Sequence, residues 1–245
     1  MKIALPRFDG RRASRSLVLC TAAAAVFSAL LPAAQPANAA NAADGAAPRS
    51  PAVSDFDRVF GTHGEPAATH FQATYFAGGT EHRVEVWRDG ERRIRRRTDD
   101  RAESFAVRKP GSPDYRLSVL DLTRKIRTDI DRDNLYRIGQ FTDWFDLGHG
   151  LRHPKGDYRL VPAAAPHGAA HAIGACAWVA LVQDTQTTHV CWSAQAKLPL
   201  LIQAADGRTV WRVTHVDHKA IPDTVFAIHD TGFVHNDANA DIERD

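Results

Sequence analysis

The sequence predicts an α+β fold in which a strongly curved antiparallel sheet, an incomplete β-barrel, wraps over one main helix and a short N-terminal helix. Between Thr69 and Ile130, six short segments alternate apolar with polar residues, turn signals separate them, and helical spacing then replaces the alternation. A long antiparallel meander has one apolar face that needs cover, and the pattern supplies one substantial helix to provide it.

The first 39 residues have the pattern of an export signal. A basic start precedes an apolar stretch from Leu17 to Leu31, and Ala37-Asn38-Ala39 matches an A-x-A cleavage site. We expect cleavage near Ala39 and a soluble periplasmic protein, because no later segment is apolar for the roughly 20 residues that span a bilayer. The pair Arg11-Arg12 leaves the export route open between the general secretory and twin-arginine pathways.

The rest of the chain divides by composition. Residues 40–53 are rich in Ala, Asn, Pro and Ser and read as a flexible leader. A single open-barrel domain is expected over residues 54–235, beginning with a short helix that Ser54 caps and that stops at Gly61. Residues 236–245 are polar and acidic, and we expect them to be disordered.

Charge excludes one function class. The chain has 31 Lys+Arg and 29 Asp+Glu, but five of the bases and only one of the acids lie in the predicted signal. The remainder is nearly neutral, which argues against nucleic-acid binding driven by net charge.

Turn chemistry defines the meander. Strands are predicted at residues 69–77, 80–88, 91–98, 101–107, 114–122 and 125–130. Gly78-Gly79 and Asp89-Gly90 supply the positive-φ residues that two-residue hairpins require. Because all connections are too short for crossovers, neighbouring strands must be antiparallel.

Period-two spacing predicts one inner apolar face. It comprises Phe71, Ala73, Tyr75, Val84, Val86, Phe105, Val107, Tyr115, Leu117, Val119, Ile126 and Ile130.

A helix is predicted next, capped by Asp131 or Asp133. Its apolar positions are Leu135, Ile138, Phe141, Trp144, Phe145 and Leu151, and Gly148, Gly150 and Pro154 weaken and end it. After a loop over residues 161–174, strands are predicted at residues 176–182, 187–192, 198–204 and 208–217, with a last piece at 225–228.

Two cysteines remain after the predicted signal, Cys176 and Cys191, and an exported protein with two cysteines is expected to pair them. A tight turn centred on Gln183-Asp184 would place them opposite each other in a hairpin, within disulfide range.

Several short motifs in the C-terminal third support a family resemblance. Trp192, Leu198-Pro199-Leu200, Asp206-Gly207 and Val225-Phe226 occur in an order that resembles the outer-membrane lipoprotein carriers, the LolA/LolB-like superfamily that includes RseB-like periplasmic proteins. The resemblance implies an incomplete barrel over helices that binds acyl chains or lipoprotein segments in an apolar cavity. Lys197 stands where the family pattern has glycine.

The main functional hypothesis is a carrier or binding protein that holds a lipid, acyl chain or lipopeptide in its concave face, since unfilled apolar volume binds apolar ligands. The residues predicted to line the cavity are Phe71, Tyr75, Val84, Val86, Tyr115, Leu117, Ile126, Trp144 and Phe145.

An alternative hypothesis is a docking or stress-signalling module with a periplasmic or membrane-protein partner and no small-molecule ligand. In a strand, Arg93, Arg95 and Arg97 share one face, where they could contact anionic groups or an acidic partner. The competing interpretation is a solvated strand balanced by neighbouring acids.

No motif predicts an enzyme, a cofactor or a metal site. The chain lacks G-x-S-x-G, H-E-x-x-H, C-x-x-C and phosphate-loop patterns. His149 and His153 are four residues apart, but Gly150 and Pro154 interrupt the helix that metal binding would need. Strand alternation separates His215 from His218.

Overall fold

The computed structural model describes residues 55–90, 92–137 and 143–242. The predicted signal, the leader and the proposed cap Ser54 lie outside these residues. The first helix is α1 (Phe56–Val59), and its N-cap is Asp55, whose carboxylate accepts a hydrogen bond from the Asp57 amide at 3.2 Å. A short helix therefore opens the described chain as expected, with Asp55 as its cap.

The first meander follows the predicted order closely. Its strands are β1 (Ala68–Ala77), β2 (Thr80–Asp89), β3 (Arg93–Thr98), β4 (Ala102–Arg108), β5 (Tyr115–Asp121) and β6 (Ile126–Asp131). All are paired antiparallel with their sequence neighbours. The first hairpin has the predicted two-residue turn, and Gly78 and Gly79 have positive φ angles. The second turn is longer than the predicted Asp89-Gly90 pair, since Asp89 pairs with Arg93, although Gly90 does have a positive φ angle.

A second meander completes the sheet. It contains β7 (Arg159–Pro162), β8 (Ala177–Gln183), β9 (Gln186–Ser193), β10 (Leu198–Ala204) and β11 (Thr209–Asp217). Strand β7 overlaps the segment predicted as a loop. The sequence did not indicate this strand, because its four residues end in Pro162 and carry little strand signal. As an edge strand it tolerates the missing amide of proline.

The two meanders join through the strands farthest apart in the chain. Strand β1 pairs with β11, and His70 lies opposite Asp217. With β12 (Val234–Asp237), the described residues form one twelve-stranded sheet in the order β12-β6-β5-β4-β3-β2-β1-β11-β10-β9-β8-β7. In this order β12 and β7 are the two edge strands and do not pair with each other, so the sheet is open. This agrees with the prediction of a curved sheet that does not close into a barrel.

The single main helix was not predicted correctly. The described residues instead form two short helices, α2 (Arg132–Arg137) and α3 (Trp144–His149), while Ile138 and Phe141 lie outside the described part. Helix α3 has its own N-cap, Asp143, and ends at Gly150 with φ 70°. The separate cap and the left-handed glycine give α3 its own beginning and end.

One apolar cluster occupies the concave side of the sheet. It joins α1, α2 and α3 to inward residues of both meanders. Phe105 and Val107 are exceptions to the predicted inner face: Ala106 pairs with Ile94 and belongs to the cluster, so its neighbours point to the convex side. Val107 is 52% exposed there, whereas Phe105 is buried.

The C-terminal segment, residues 218–237, crosses the convex face, and we call it the C-terminal strap. Its 3-10 turn, Asp223–Phe226, replaces the strand predicted at 225–228, and Phe226 lies under the Arg93 guanidinium at 4.4 Å. Arg127 holds Asp230 at 2.7 Å. The strap ends as β12, which runs parallel to β6.

Residues 236–242 therefore differ from the predicted disordered tail. Asn236 and Asp237 belong to β12, and α4 (Ala238–Ile242) follows. The Asn239 side-chain oxygen accepts from the Asp131 amide at 2.8 Å, so the backbone of β6 anchors this polar segment. Polar composition alone does not reveal such long-range pairing.

The disulfide Cys176–Cys191 is present, with its Cα atoms 5.3 Å apart. The predicted register was wrong, however: the turn lies one residue later, so Trp178 pairs with Cys191 and Cys176 bridges diagonally. With a separation of 15 residues, the chain-entropy model gives a stabilisation of about 3 kcal/mol. Among the described residues, no helix has the length and apolarity needed to cross a bilayer.

Candidate functional site

The nine residues predicted to line an apolar cavity belong mainly to the core. Six are at most 9% exposed and lie within the apolar cluster: Phe71, Tyr75, Val84, Val86, Tyr115 and Leu117. Trp144 and Phe145 are half-buried and pack against this cluster, and Ile126 is also half-buried. The structure therefore places most of these residues in contact with the protein's own side chains.

Aromatic side chains from α1 and α3 fill much of the concave side. The rings of Phe56 and Phe60 are 4.9 Å apart, and Phe60 meets Trp192 edge-on at 5.2 Å. Helix α3 approaches so closely that a Cβ atom at Gly150 would lie 2.3 Å from the Trp211 ring. An apolar ligand entering this region would have to displace these groups.

A buried charged network lies beneath α3. Arg88 of β2 is 1% exposed, and its guanidinium lies 2.5 Å from the Glu65 carboxylate and donates to the Gly148 carbonyl at 3.2 Å. The same carboxylate lies 2.8 Å from Nε2 of His149. These contacts connect the loop before β1, strand β2 and helix α3.

Burial shifts the titration of this network. Desolvation lowers the pKa of Arg88 to about 10, which leaves the guanidinium charged at neutral pH. Desolvation also lowers the pKa of His149, and the positive charge of Arg88 acts in the same direction. Arg88 and His149 are each 1% exposed, so these two side chains are not accessible to a partner.

The predicted arginine row does share the convex face, but its members have intramolecular partners. Arg93 bonds to Asp89 and to Asp223 of the strap. Arg95 pairs with Glu103 at 2.7 Å and stacks over Trp87. Arg97 is the most exposed of the three at 39%, and it pairs with Asp100 at 2.9 Å.

A charged groove lies beside Arg97, at one end of β1, β2 and β3. This hairpin groove is lined by residues 72–74, 80–85 and 99–101 with Arg97 and Thr214, and its volume is about 770 Å³. A smaller cavity of about 410 Å³ lies among the polar loop residues 62–67 and Gly90. Neither cavity is lined by the aromatic cluster.

Asp99 organises the groove. Its carboxylate accepts from the Arg83 amide at 2.7 Å and lies 2.5 Å from Nδ1 of His82, which fixes the β3–β4 turn against β2. Burial raises the pKa of Asp99, but the hydrogen bonds from His82 and Arg83 outweigh it, so the pKa is lower than usual. The carboxylate is therefore ionised at neutral pH.

The remaining groove charges differ in how far they are engaged. Glu85 bonds to His70 and Gln72, and Asp100 bonds to Arg97. Within the described residues, the guanidinium groups of Arg83 and Arg101 make no hydrogen bond or close ion pair, and both residues are exposed. The charge of Arg101 does act on Asp99, whose pKa it helps to lower. The groove thus presents two arginines and the exposed Glu81 to solvent.

Comparison with known proteins gives limited matches. No family model matches the chain, and no curated protein matches it. Among solved structures, the chain resembles MucB with 15% identity and a TM-score of 0.33, over 70% of this chain and 61% of that one. It also resembles MucB in complex with MucA(peri), with 15% identity and a TM-score of 0.31, over 69% of this chain and 55% of that one. The chain spans less than two thirds of either matched chain, and we assign no function from similarity of this extent.

Sequence reasoning missed the buried network and the groove. Glu65, Arg88 and His149 are far apart in the chain, and only the β2–α3 packing brings them together. For the groove, Asp99-Asp100 was a usable signal, because two adjacent aspartates tolerate the positive φ values of 50° and 53° that close this turn.

Proposed function

We propose that this protein is an exported binding module that docks an acidic segment of a protein partner in the hairpin groove and needs no small-molecule ligand. One observation carries the proposal: the larger cavity lies on charged surface, whereas the apolar concave side is occupied by α1 and α3. Periplasmic location rests on the export pattern of residues 1–39.

The charge distribution favours an acidic partner segment. Of the four acids of the groove, Glu85, Asp99 and Asp100 already interact with the protein's own donors, and Glu81 is exposed. Arg83 and Arg101 face solvent, and an arginine fork binds carboxylates in a planar, bidentate geometry. An extended segment with acidic side chains therefore complements this surface.

Photo-crosslinking in cells of the source organism tests the proposal. A photoreactive phenylalanine analogue at Thr80, which is exposed in the groove, should capture a protein. The double variant Arg83→Glu/Arg101→Glu should reduce this adduct at least tenfold, because it replaces the free donors by like charges.

The matched control is Arg116→Glu/Arg208→Glu, which makes the same charge change at residues that are 67% and 60% exposed outside the groove. It should leave the adduct unchanged. Absence of any adduct from Thr80, or equal loss in both double variants, would overturn docking through this groove.

A second candidate function is binding of an acyl chain at the edge of the concave side. It is favoured by Ile126, Trp144 and Phe145, which are only half-buried, and by the Arg108 guanidinium, which lies 4.2 Å from the Trp144 ring centre. A fluorescent fatty acid that binds wild type stoichiometrically and is lost in Trp144→Ala would support this candidate. Lipid recovered by native mass spectrometry, together with an absent Thr80 adduct, would favour it over docking.

A further inference from the structure

Four polar side chains converge on the convex face where the two meanders join. His70 and Asp217 are directly paired across β1 and β11, and His215 lies two residues from Asp217 on the same face. Glu85 reaches the cluster from β2. The cluster is accessible, because the His215 side chain is 51% exposed.

Three potential ligand atoms lie close together. Nδ1 of His70 is 3.1 Å from Oδ2 of Asp217, and Nε2 of His215 is 2.9 Å from the same oxygen. One ligand atom from each residue lies within 4.8 Å of the others. Tetrahedral Zn²⁺, with bonds of roughly 2.0–2.2 Å, requires ligand atoms about 3.3 Å apart, so small side-chain rotations would suffice.

The hydrogen bonding of His70 also points to a cation. Its Nε2 is 2.8 Å from Oε1 of Glu85, so both ring nitrogens face carboxylate oxygens. Ionised carboxylates only accept, and a neutral imidazole has one N–H group. With Nε2–H donating to Glu85, the lone pair of Nδ1 faces Asp217 and is available to a metal.

The surroundings hold His70 in this orientation. The Trp87 ring stacks on His70 at 5.2 Å with an interplanar angle of 8°, and Gln72 donates to Glu85 at 3.0 Å. A carboxylate bonded to the second nitrogen of a histidine ligand is the usual outer-shell arrangement at zinc sites, where it fixes the tautomer and raises ligand basicity.

We propose that His70, His215 and Asp217 form a binding site for a divalent transition metal of the Zn²⁺ class, with Glu85 as the positioning residue. Nδ1 of His70, Nε2 of His215 and a carboxylate oxygen of Asp217 are the ligands. The exposed side of His215 leaves the fourth position to water or to an incoming group. This inference does not depend on the proposed docking function, because its ligands are defined without a partner.

Titration of the untagged protein with ZnCl₂ by calorimetry tests the site. Wild type should bind one equivalent, and His215→Ala or Asp217→Asn should weaken binding at least tenfold. Glu85→Gln should weaken it about tenfold, the lower end for an outer-shell carboxylate. Co²⁺ should give the visible absorption of a tetrahedral site in wild type and lose it in His215→Ala.

The matched control is His235→Ala. His235 is 57% exposed and lies 3.1 Å from the Asp230 carboxylate, so it reproduces the local environment of His215 without a second histidine. It should leave the zinc affinity unchanged. Circular dichroism of each variant distinguishes loss of zinc binding from unfolding. If His215→Ala unfolds, His215→Gln replaces it.

Two outcomes would overturn the proposal. One is zinc binding that is equal in wild type and His215→Ala. The other is a nitrogen NMR spectrum in which both ring nitrogens of His70 stay protonated at neutral pH, with or without added Zn²⁺. That result would identify the cluster as a hydrogen-bonded ion pair only.

Discussion

At the residue scale, the Glu65 carboxylate has an unusual position, because it is the counter-charge of a guanidinium that is almost completely buried. Arg88 is 1% exposed and Glu65 is 12% exposed. Removing one partner of a buried pair leaves an uncompensated charge, which costs more than the pair itself contributes. The Glu65 side chain thereby ties the loop before β1 to the sheet.

We expect Glu65→Gln to lower the free energy of unfolding by about 3–5 kcal/mol, measured by urea denaturation. The neutral amide retains the size of the side chain but does not balance Arg88. Asp57→Asn is the control: its side chain is 79% exposed and lies 3.8 Å from His153, so its effect should stay within about 0.5 kcal/mol. Equal effects of the two substitutions would contradict a structural role for the network.

At the scale of secondary-structure elements, the end of α3 shows how one glycine allows close packing. Gly150 closes the helix with φ 70°, and the Trp211 ring occupies the space where a side chain would begin. Glycine meets both requirements, since it adopts positive φ without strain and has no Cβ atom.

Gly150→Ala should therefore destabilise the protein by roughly 2–4 kcal/mol, adding overpacking to the strain of positive φ. Gly156→Ala separates the two effects, because Gly156 has φ 79° and open space where its Cβ would lie. We expect a loss of about 1 kcal/mol there. Thermal unfolding of both variants measures the difference, and identical melting temperatures would exclude the clash with Trp211.

A secondary-structure element could be predicted from the sequence where the residues that determine it are close together in the chain. The β1–β2 hairpin was predictable, because Gly78-Gly79 is a local signal for a two-residue turn. Asp89-Gly90 indicated the position of the next turn but not its length, since Asp89 pairs with Arg93. Phe105 was assigned to the wrong face, because apolar Phe105-Ala106-Val107 gives no alternation to set the register.

The candidate sites required pairings that no local pattern contains. The groove combines β1, β2 and the β3–β4 turn, and the histidine cluster joins His70 to Asp217 across 147 residues. Strand alternation places His215 and Asp217 on one face, but it gives no information on which strand lies beside them. The chemistry of each side chain could be inferred from the local sequence, whereas the identity of the strand paired beside it could not.

At the scale of the whole described chain, the C-terminal strap follows β11 of the second meander and crosses the convex face of the first. Arg93 contacts Asp223 and Phe226, and Asp230 accepts from Arg127 near the far edge of the sheet. The Arg127 hydrogen bond lowers the pKa of Asp230 below its ordinary value of 3.8. Attachment of the strap at this point therefore depends on an ionised carboxylate.

The pH dependence has a definite sign. Because the folded-state pKa of Asp230 is depressed, its stabilising contribution is complete above the ordinary carboxyl pKa of 3.8 and is lost as pH falls through the lower folded-state value. Hydrogen exchange of residues 225–237 should be slower in wild type than in Asp230→Asn near neutral pH. The two proteins should converge as the solution becomes acidic, and a difference that persists in acid would contradict this assignment.

The β1–β11 pairing also constrains the order in which the sheet can be assembled. During folding, β1 to β6 can pair with their sequence neighbours early. The free side of β1 pairs only when β11 reaches it, and in that pairing Asp217 follows His70 by 147 residues. Loop closure over that distance makes this the slow step expected of non-local β-structure. Until β11 pairs with it, β1 offers unpaired amides and carbonyls to other chains, so the partly folded protein is most prone to aggregation before β11 has docked.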